Sequence, residues 1–234
     1  PAGIADAIVD LRDTFMTTFN TLEVMRVCQI PVIAFASTSA VYGDLGDRAL
    51  HEDIGPLFPI SNYGAMKLAS EALISAAAEN WLSQAFIFRF PNVIGVPATH
   101  GVIFDFIEKL KKTPHNLMVL GDGTQKKSYL HVDDLIDAMR TICKKANQRL
   151  NYFNIGAGDV GITVHDIADI VVQQVSPSAS ITFGTGNKGW IGDVPKFSYS
   201  IEKLKLLGWE PSMNSRGAVE LAVVQIADQL SKSK

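Results

Sequence analysis

A tyrosine and a lysine, Tyr63 and Lys67, stand four residues apart in an alanine-rich segment that begins at Ser61. Residues with this spacing project from the same face of a helix, about one turn apart. A neighbouring ammonium stabilises a phenolate, so we expect Lys67 to lower the Tyr63 pKa from its reference value of about 10. A tyrosine tuned in this way exchanges protons with a sugar or alcohol hydroxyl near neutral pH. The spacing also arises by chance, so the pair alone is weak evidence.

Hydroxyl side chains follow an apolar run in the stretch FASTSAVYGD, residues 35–44. Open α/β sheets bind ligands at the carboxyl ends of their strands. Thr38 at such an end is placed to donate to a substrate oxygen while Tyr63 takes the proton. The alternative is a polar turn in which Ser37, Thr38 and Ser39 only satisfy backbone groups.

The elements that must position these residues alternate between strand and helix. After a helix over about residues 4–27, the apolar run PVIAFA (31–36) predicts a strand buried on both faces of a sheet. Ser61 can cap a helix that runs to about Asn80, and QAFIFRF (84–90) predicts a second strand. Strand, helix and strand in this order predict an α/β fold with a doubly wound parallel, Rossmann-like sheet.

The second half of the chain has shorter elements and more loops, which predicts a smaller α+β lobe. Helices are expected at 101–112, 132–145, 164–175 and 214–230, and strands at 117–120, 127–130 and 151–155. We expect residues 1–95 to be the C-terminal part of a dinucleotide-binding domain. Residues 96–234 form mainly a substrate-binding lobe, with 131–155 returning to the sheet.

Composition excludes several classes of partner. The formal net charge of −3 and the pI near 6.0 give no basic surface for nucleic acid. No apolar run reaches the roughly 18 residues that span a bilayer, so no membrane contact is expected. Only two cysteines occur, which favours a reducing compartment, the cytoplasm. His131 lacks further ligands at metal spacing and is expected to cap a helix rather than bind a metal.

Seven motifs, in this order, resemble the extended short-chain dehydrogenase/reductases, in particular the nucleotide-sugar epimerases of the NAD-dependent epimerase/dehydratase family. They are STSAVYGD, SNYGAMK, FRFPNVIG, THGVIFDFIEKL, GDGTQKKSYLHVDD, NIGAG and GWIGDVPKFSYSIEKLKLLGWEP. The resemblance covers nearly the whole chain.

The resemblance assigns roles to residues of this chain. It implies a catalytic triad of Thr38, Tyr63 and Lys67. It implies an NAD cofactor that is bound by Ser37, Tyr63, Lys67 and Phe90. It implies a nucleotide-sugar, in particular a UDP-sugar, that is bound by Thr38, Asn92, Lys127 and Asp193. It also implies a homodimer paired through the Tyr63 helix and the helix before it.

Two departures from the family pattern bear on substrate and reaction. Lys127 stands where the family usually has Arg, which keeps the charge but loses the bidentate fork for a diphosphate. Related dehydratases carry an Asp-Glu pair after the threonine, because elimination of water needs an acid and a base. This chain has Ser39-Ala40 there, which favours oxidation and re-reduction at one carbon.

The reaction that these features favour is 4-epimerisation of a nucleotide-sugar, through a 4-keto sugar that is reduced on its opposite face. A related NAD-dependent sugar or amino-acid dehydrogenase with the same triad is an alternative. A non-catalytic binding module derived from this fold is another.

The sequence GAGDVG (156–161) matches a dinucleotide-binding GxGxxG, but we expect a plain turn there. The fingerprint needs its third glycine inside the helix, whereas Thr163 and Asp166 indicate a later helix start. From the family order we expect the true fingerprint in about two βαβ units preceding Pro1, so the chain is expected to be a fragment of an enzyme.

These 234 residues alone should therefore bind NAD poorly, because no helix N-terminus holds the pyrophosphate. Isothermal titration of NAD into the chain measures this. Micromolar binding would contradict the prediction.

Overall fold

Three parallel strands form the central sheet of this computed structural model, which describes residues 3, 6–46, 48–186 and 198–232. The strand order is β1 (Val32–Thr38), β3 (Gln84–Phe90) and β8 (Leu150–Asn154). The register sets Thr38 beside Phe90, so both strands end at the same level. Helices cover the sheet, and the predicted α/β class is confirmed.

Helices and short strands make up the rest of the described fold. The helices are α1 (Ala7–Asp10), α2 (Thr17–Val27), α3 (Asn62–Asn80), α4 (Val102–Lys112), α5 (Val132–Lys145), α6 (Val164–Val175), α7 (Glu202–Lys205) and α8 (Ser215–Lys232). The short strands are β2 (Ala49–Leu50), β4 (Asn92–Ile94), β5 (Asn116–Val119), β6 (Lys126–Lys127), β7 (Tyr129–His131), β9 (Ile162–Thr163), β10 (Ser180–Phe183) and β11 (Ser198–Tyr199). No helix in these ranges is both long and apolar enough to cross a bilayer.

Helix α3 forms where the sequence predicts it. Ser61 is extended, and its hydroxyl accepts a hydrogen bond from the Gly64 amide at 3.1 Å, which satisfies one donor of the first turn. The alanine-rich run that follows favours the helix. Its buried side packs on one face of the sheet, in a cluster that includes Ile74, Ala77, Ala78, Ile33, Ala85 and Ile87.

The opposite face of the sheet packs on α5. The apolar cluster there contains Phe86 and Phe88 of β3, Phe153 of β8, and Ala138 and Ile142 of α5. Strand β3 is therefore buried on both faces, and Leu150–Asn154 returns to the sheet beside it.

Strand β1 differs from its prediction. The apolar run predicts burial on both faces, but Val32, Ala34 and Ala36 are exposed on the face away from α3. The cluster on that face draws side chains from β3 and β8, and none of its described members comes from β1. Because β1 is the edge strand of the described sheet, that prediction is wrong.

The segment predicted as one helix over about residues 4–27 is interrupted. Within the described part, α1 is followed by a π-helical stretch, Leu11–Met16, and then by α2. The hydrogen-bond pattern therefore widens by one residue between the two α-helical parts.

The lobe has its own core. Helices α4, α6 and α8 enclose a cluster that includes Phe106, Leu117, Ile167, Val171, Val223 and Ile226. Three pairs of short strands lie in this part of the chain. β4 with β7 and β5 with β10 are parallel, and β6 with β9 is antiparallel.

The Ser61 cap should contribute measurably to stability. Ser61→Ala should lower the free energy of unfolding by about 1 kcal/mol, because the Gly64 amide loses its acceptor. Urea denaturation measures the change. The control is Ser231→Ala, whose exposed hydroxyl donates to the Asp228 carbonyl near the end of α8; an equal loss in both variants would contradict the assignment.

Candidate functional site

A cleft of about 570 Å³ opens at the carboxyl ends of β1 and β3. It is lined by five residues that the sequence singled out, Thr38, Tyr63, Phe90, Asn92 and Lys127. They come from β1, α3, the end of β3, β4 and β6. The cleft therefore lies where the sheet meets the lobe, and it brings together residues that are far apart in the sequence.

The Thr38 hydroxyl lies near the Tyr63 phenol and acts to lower the pKa of that phenol. Thr38 is the last residue of β1, and its Oγ1 also accepts from the Ala40 amide at 3.2 Å, which caps the short 3₁₀ turn Ser39–Tyr42. Tyr63 is in the first turn of α3 and is 41% exposed. The two hydroxyl groups form a pair at one end of the cleft.

Burial raises the pKa of Tyr63 above its ordinary value. The Thr38 hydroxyl lowers the pKa by less than burial raises it, and the charge of Asp10 adds to the rise. The expectation that Lys67 lowers the Tyr63 pKa is therefore wrong for this structure. The physical reason is where the Lys67 ammonium lies.

Lys67 lies one turn after Tyr63, but its ammonium donates a hydrogen bond to the backbone of β1. Its Nζ donates to the Ala36 carbonyl at 2.8 Å and lies 5.8 Å from the centre of the Tyr63 ring and 4.8 Å from that of Phe35. Burial lowers the pKa of Lys67, and the charge of Glu71 opposes that shift. Lys67 is thus next to the hydroxyl pair, although it does not line the cleft.

Ser37, like Lys67, was predicted to bind the cofactor and does not line the cleft. It is 1% exposed, and its hydroxyl donates to Oε1 of Glu71 at 2.5 Å, on the α3 side of the sheet. Strand alternation explains this, because Ser37 and Thr38 point to opposite sides. Phe90 and Asn92 both reach the cleft, and their roles stay predictions.

Lys127 reaches the cleft from β6 and is half-buried. Gly161 packs against its backbone: a Cβ at Gly161 would lie 2.3 Å from the Lys127 carbonyl oxygen, and φ is +80° there. The third glycine of the GxGxxG match thus has a packing reason. Thr163 caps α6 in a capping box with Asp166, as predicted. Asp193 lies outside the described residues.

His131 caps α5, as predicted. Its Nδ1 accepts from the Asp133 amide at 3.3 Å, Nε2 is 2.9 Å from Oε1 of Gln225, and the side chain is 1% exposed. The described ranges contain no group of three or more side chains that could hold a metal ion.

Several residues near the site were not predicted from the sequence. Tyr129 and Ile226 line the cleft, and no local signal marks them because they come from separate elements of the lobe. The buried ion pair of Glu71 and Arg89, with Nη2 2.6 Å from Oε2, was also not predicted. The spacing of Glu71, four residues after Lys67, was the available signal.

The chain belongs to the NAD dependent epimerase/dehydratase family, whose model matches residues 1–156. It is 29% identical to a putative UDP-glucose 4-epimerase of Methanocaldococcus jannaschii, covering 94% of this chain and 71% of that protein. It is 28% identical to a UDP-glucuronate 4-epimerase of Thermodesulfobacterium geofontis, covering 91% of this chain but 64% of that protein. The chain thus spans roughly two thirds of these relatives.

Solved structures agree with the family. A crystal structure of a UDP-galactose 4-epimerase is 34% identical, with a TM-score of 0.86, over 96% of this chain and 72% of that one. A UDP-glucose 4-epimerase from Thermus thermophilus, solved with NAD, is 23% identical with a TM-score of 0.83, over 96% and 73% of the two chains. The second likeness shows the fold alone.

Thr38→Val should raise the Tyr63 pKa further, because the phenolate loses a hydrogen-bond donor. The difference in phenolate absorbance between each protein and its Tyr63→Phe derivative isolates this titration. Thr99→Val is the control, since Thr99 lines the same cleft and pairs with His100 instead. A Tyr63 titration that stays in place, or moves to lower pH, contradicts the role of Thr38.

Proposed function

We propose that this chain carries the proton-exchange and substrate-binding part of an NAD-dependent nucleotide-sugar 4-epimerase that acts on a UDP-sugar. The observation that carries the proposal is that the hydroxyl groups of Thr38 and Tyr63 line the same end of a cleft, with Lys67 one helical turn away. Support comes from relatives that are named as 4-epimerases of UDP-glucose and UDP-glucuronate.

The lining of the cleft favours epimerisation over dehydration. None of the described residues that line it is Asp or Glu, and Ser39-Ala40 offers no carboxylate next to Thr38. Elimination of water from a sugar needs a positioned acid and base beyond the group that takes the hydroxyl proton. The lining instead offers hydroxyls, the His100 imidazole, the Asn92 amide and the Lys127 ammonium, which suit recognition of sugar hydroxyls and phosphates.

The donor set near Tyr63 fits a nicotinamide cofactor. The ammonium of Lys67 is a donor for ribose hydroxyls, and Phe90 and Tyr63 offer aromatic surface at the same mouth of the cleft. NAD, when bound, supplies the acceptor and donor of the hydride at the sugar carbon.

Residues of this chain carry out the proton exchange. Tyr63 takes the proton of the 4-hydroxyl, and Thr38 stabilises the phenolate by its hydrogen bond. Because burial raises the Tyr63 pKa, the phenol is protonated near neutral pH. We therefore expect the rate to rise with pH through the neutral range, as the phenolate fraction grows. Lys67 lies beside the phenol, with Nζ 5.8 Å from the centre of its ring, and it bonds to the Ala36 carbonyl near the end of β1.

We also propose a homodimer paired through α2 and α3. Apolar side chains of α2 are exposed without cover among the described residues, with Phe19 40%, Val24 59% and Val27 72% exposed. Such a surface marks a protein contact. The cytoplasmic location stays a prediction from the two cysteines, Cys28 and Cys143, which are both free thiols.

Because the chain is expected to bind NAD weakly, the reaction is tested at saturating NAD, with UDP-glucose, UDP-galactose or UDP-glucuronate as substrate. Formation of the 4-epimer without net NADH is the expected result, whereas net NADH identifies the related dehydrogenase. Tyr63→Phe should lower kcat by about 100-fold or more, because the proton acceptor is lost.

Tyr152→Phe is the matched control, because Tyr152 donates to Asp53 away from the cleft. Retention of full turnover by Tyr63→Phe would overturn the mechanism. Ligand binding that survives Tyr63→Phe, with no turnover in either protein, would favour a non-catalytic binding module.

A further inference from the structure

We propose that Glu71 is a positioning residue for the site: its buried carboxylate holds Thr38 in place through Ser37 and provides the counter-charge for Lys67. The proposal rests on the proposed function for its kinetic consequence. Its structural consequence can be measured without turnover.

Glu71 is buried among three donors from two strands. Oε1 accepts from the Ser37 hydroxyl at 2.5 Å and from Nε of Arg89 at 3.0 Å, and Oε2 accepts from Nη2 of Arg89 at 2.6 Å. Glu71 and Ser37 are 5% and 1% exposed. One carboxylate of α3 therefore joins β1 and β3 in the interior.

Each partner in this cluster adjoins a residue of the site. Ser37 precedes Thr38, Arg89 precedes Phe90, and Glu71 lies one helical turn after Lys67. The cluster lies on the α3 side of the sheet and the cleft residues lie across the strand ends. A shift of the Glu71 carboxylate would therefore move the end of β1, and Thr38 with it.

Arg89 extends the cluster to the third strand. Its Nη1 donates to the Tyr42 hydroxyl at 3.0 Å, and Tyr42 donates to Oδ1 of Asn154 in β8 at 2.8 Å. The backbone N–H of Asn154 in turn donates to Oε1 of Glu52 at 2.8 Å. All three strand ends are thus connected to a single buried guanidinium.

The charge arrangement around Lys67 also assigns Glu71 a role. The groups that face this end of α3 are Tyr63 and Glu71 on the helix, the Ala36 carbonyl of β1, and Asp10 of α1 near Tyr63. Arg89 of β3 approaches from the far side of the Glu71 carboxylate. Glu71 is the carboxylate whose charge raises the pKa of the partly buried Lys67 amine.

A buried ion pair is weak evidence for stability, because desolvation offsets the attraction between the charges. A purely structural pair could be replaced by packed neutral side chains. A positioning role predicts instead that neutral replacements change the properties of the site even when the protein stays folded.

The first experiment measures the Lys67 pKa directly, by NMR titration of isotope-labelled lysine side chains, with the Lys67 signal assigned from its loss in Lys67→Met. Glu71→Gln should lower the Lys67 pKa by about one unit, because the nearest negative charge is removed. The double variant Glu71→Gln/Arg89→Met removes both buried charges and serves if the single variant fails to fold. It should also lower the Lys67 pKa.

Glu79→Gln is the matched control, an exposed glutamate further along the same helix, and should leave the titration unchanged. An unmoved Lys67 titration in a folded Glu71 variant overturns the proposal, and so does an equal shift in the control. This readout does not depend on the reaction, so a failed epimerase assay leaves it intact.

The second experiment separates positioning from packing. Ser37→Ala should lower kcat about tenfold with little change in KM, because the hydroxyl that ties β1 to Glu71 is lost while the cleft lining stays. Ser70→Ala is the matched control: this buried hydroxyl of the same helix donates to the Met66 carbonyl. Equal kcat values for the two variants, at equal melting temperatures, would overturn the positioning role of Ser37.

Discussion

The ion pair between Glu71 of α3 and Arg89 of β3 is the interaction on which the arrangement of this site depends. Both side chains are less than 10% exposed, and the shortest distance between their charged atoms is 2.6 Å. A buried charge is tolerated only with a partner and with its remaining hydrogen bonds satisfied. Ser37 and Tyr42 supply further hydrogen bonds to the pair, which tie the helix that carries Tyr63 and Lys67 to the strand ends.

The hydroxyl pair of the site follows from that position. Thr38 reaches the Tyr63 phenol because β1 ends level with β3 and α3 begins directly beside them. The lobe then closes the cleft from the other side, with Lys127 and Ile226. In the proposed mechanism, the proton-exchanging residues come from the sheet and α3, and the polar side chains of the cleft come from both sides. The absence of carboxylates among the described lining residues is what separates this cleft from one built for elimination.

The elements with strong local signals were predicted well. Ser61 and the alanine-rich run that follows predicted α3, and the apolar run 84–90 predicted β3 with the same bounds. Thr163 and Asp166 located the start of α6 despite the nearby GxGxxG match. The burial of β1 and the direction of the Tyr63 pKa shift were wrong, because both depend on what lies around a residue in space. A run of apolar letters does not say whether its strand is central or at an edge.

The sequence by itself determined the family, the strand-helix-strand order and the identity of Thr38, Tyr63 and Lys67, because capping, periodicity and motif spacing are local properties of the chain. Only the tertiary structure decided that the Lys67 ammonium donates to the Ala36 carbonyl, and that the Ser37 hydroxyl donates to Glu71 and does not reach the cleft. It also decided that burial raises the Tyr63 pKa. Hydrogen-bond partners and desolvation depend on contacts between segments that are distant in the sequence, and only the folded chain makes those contacts.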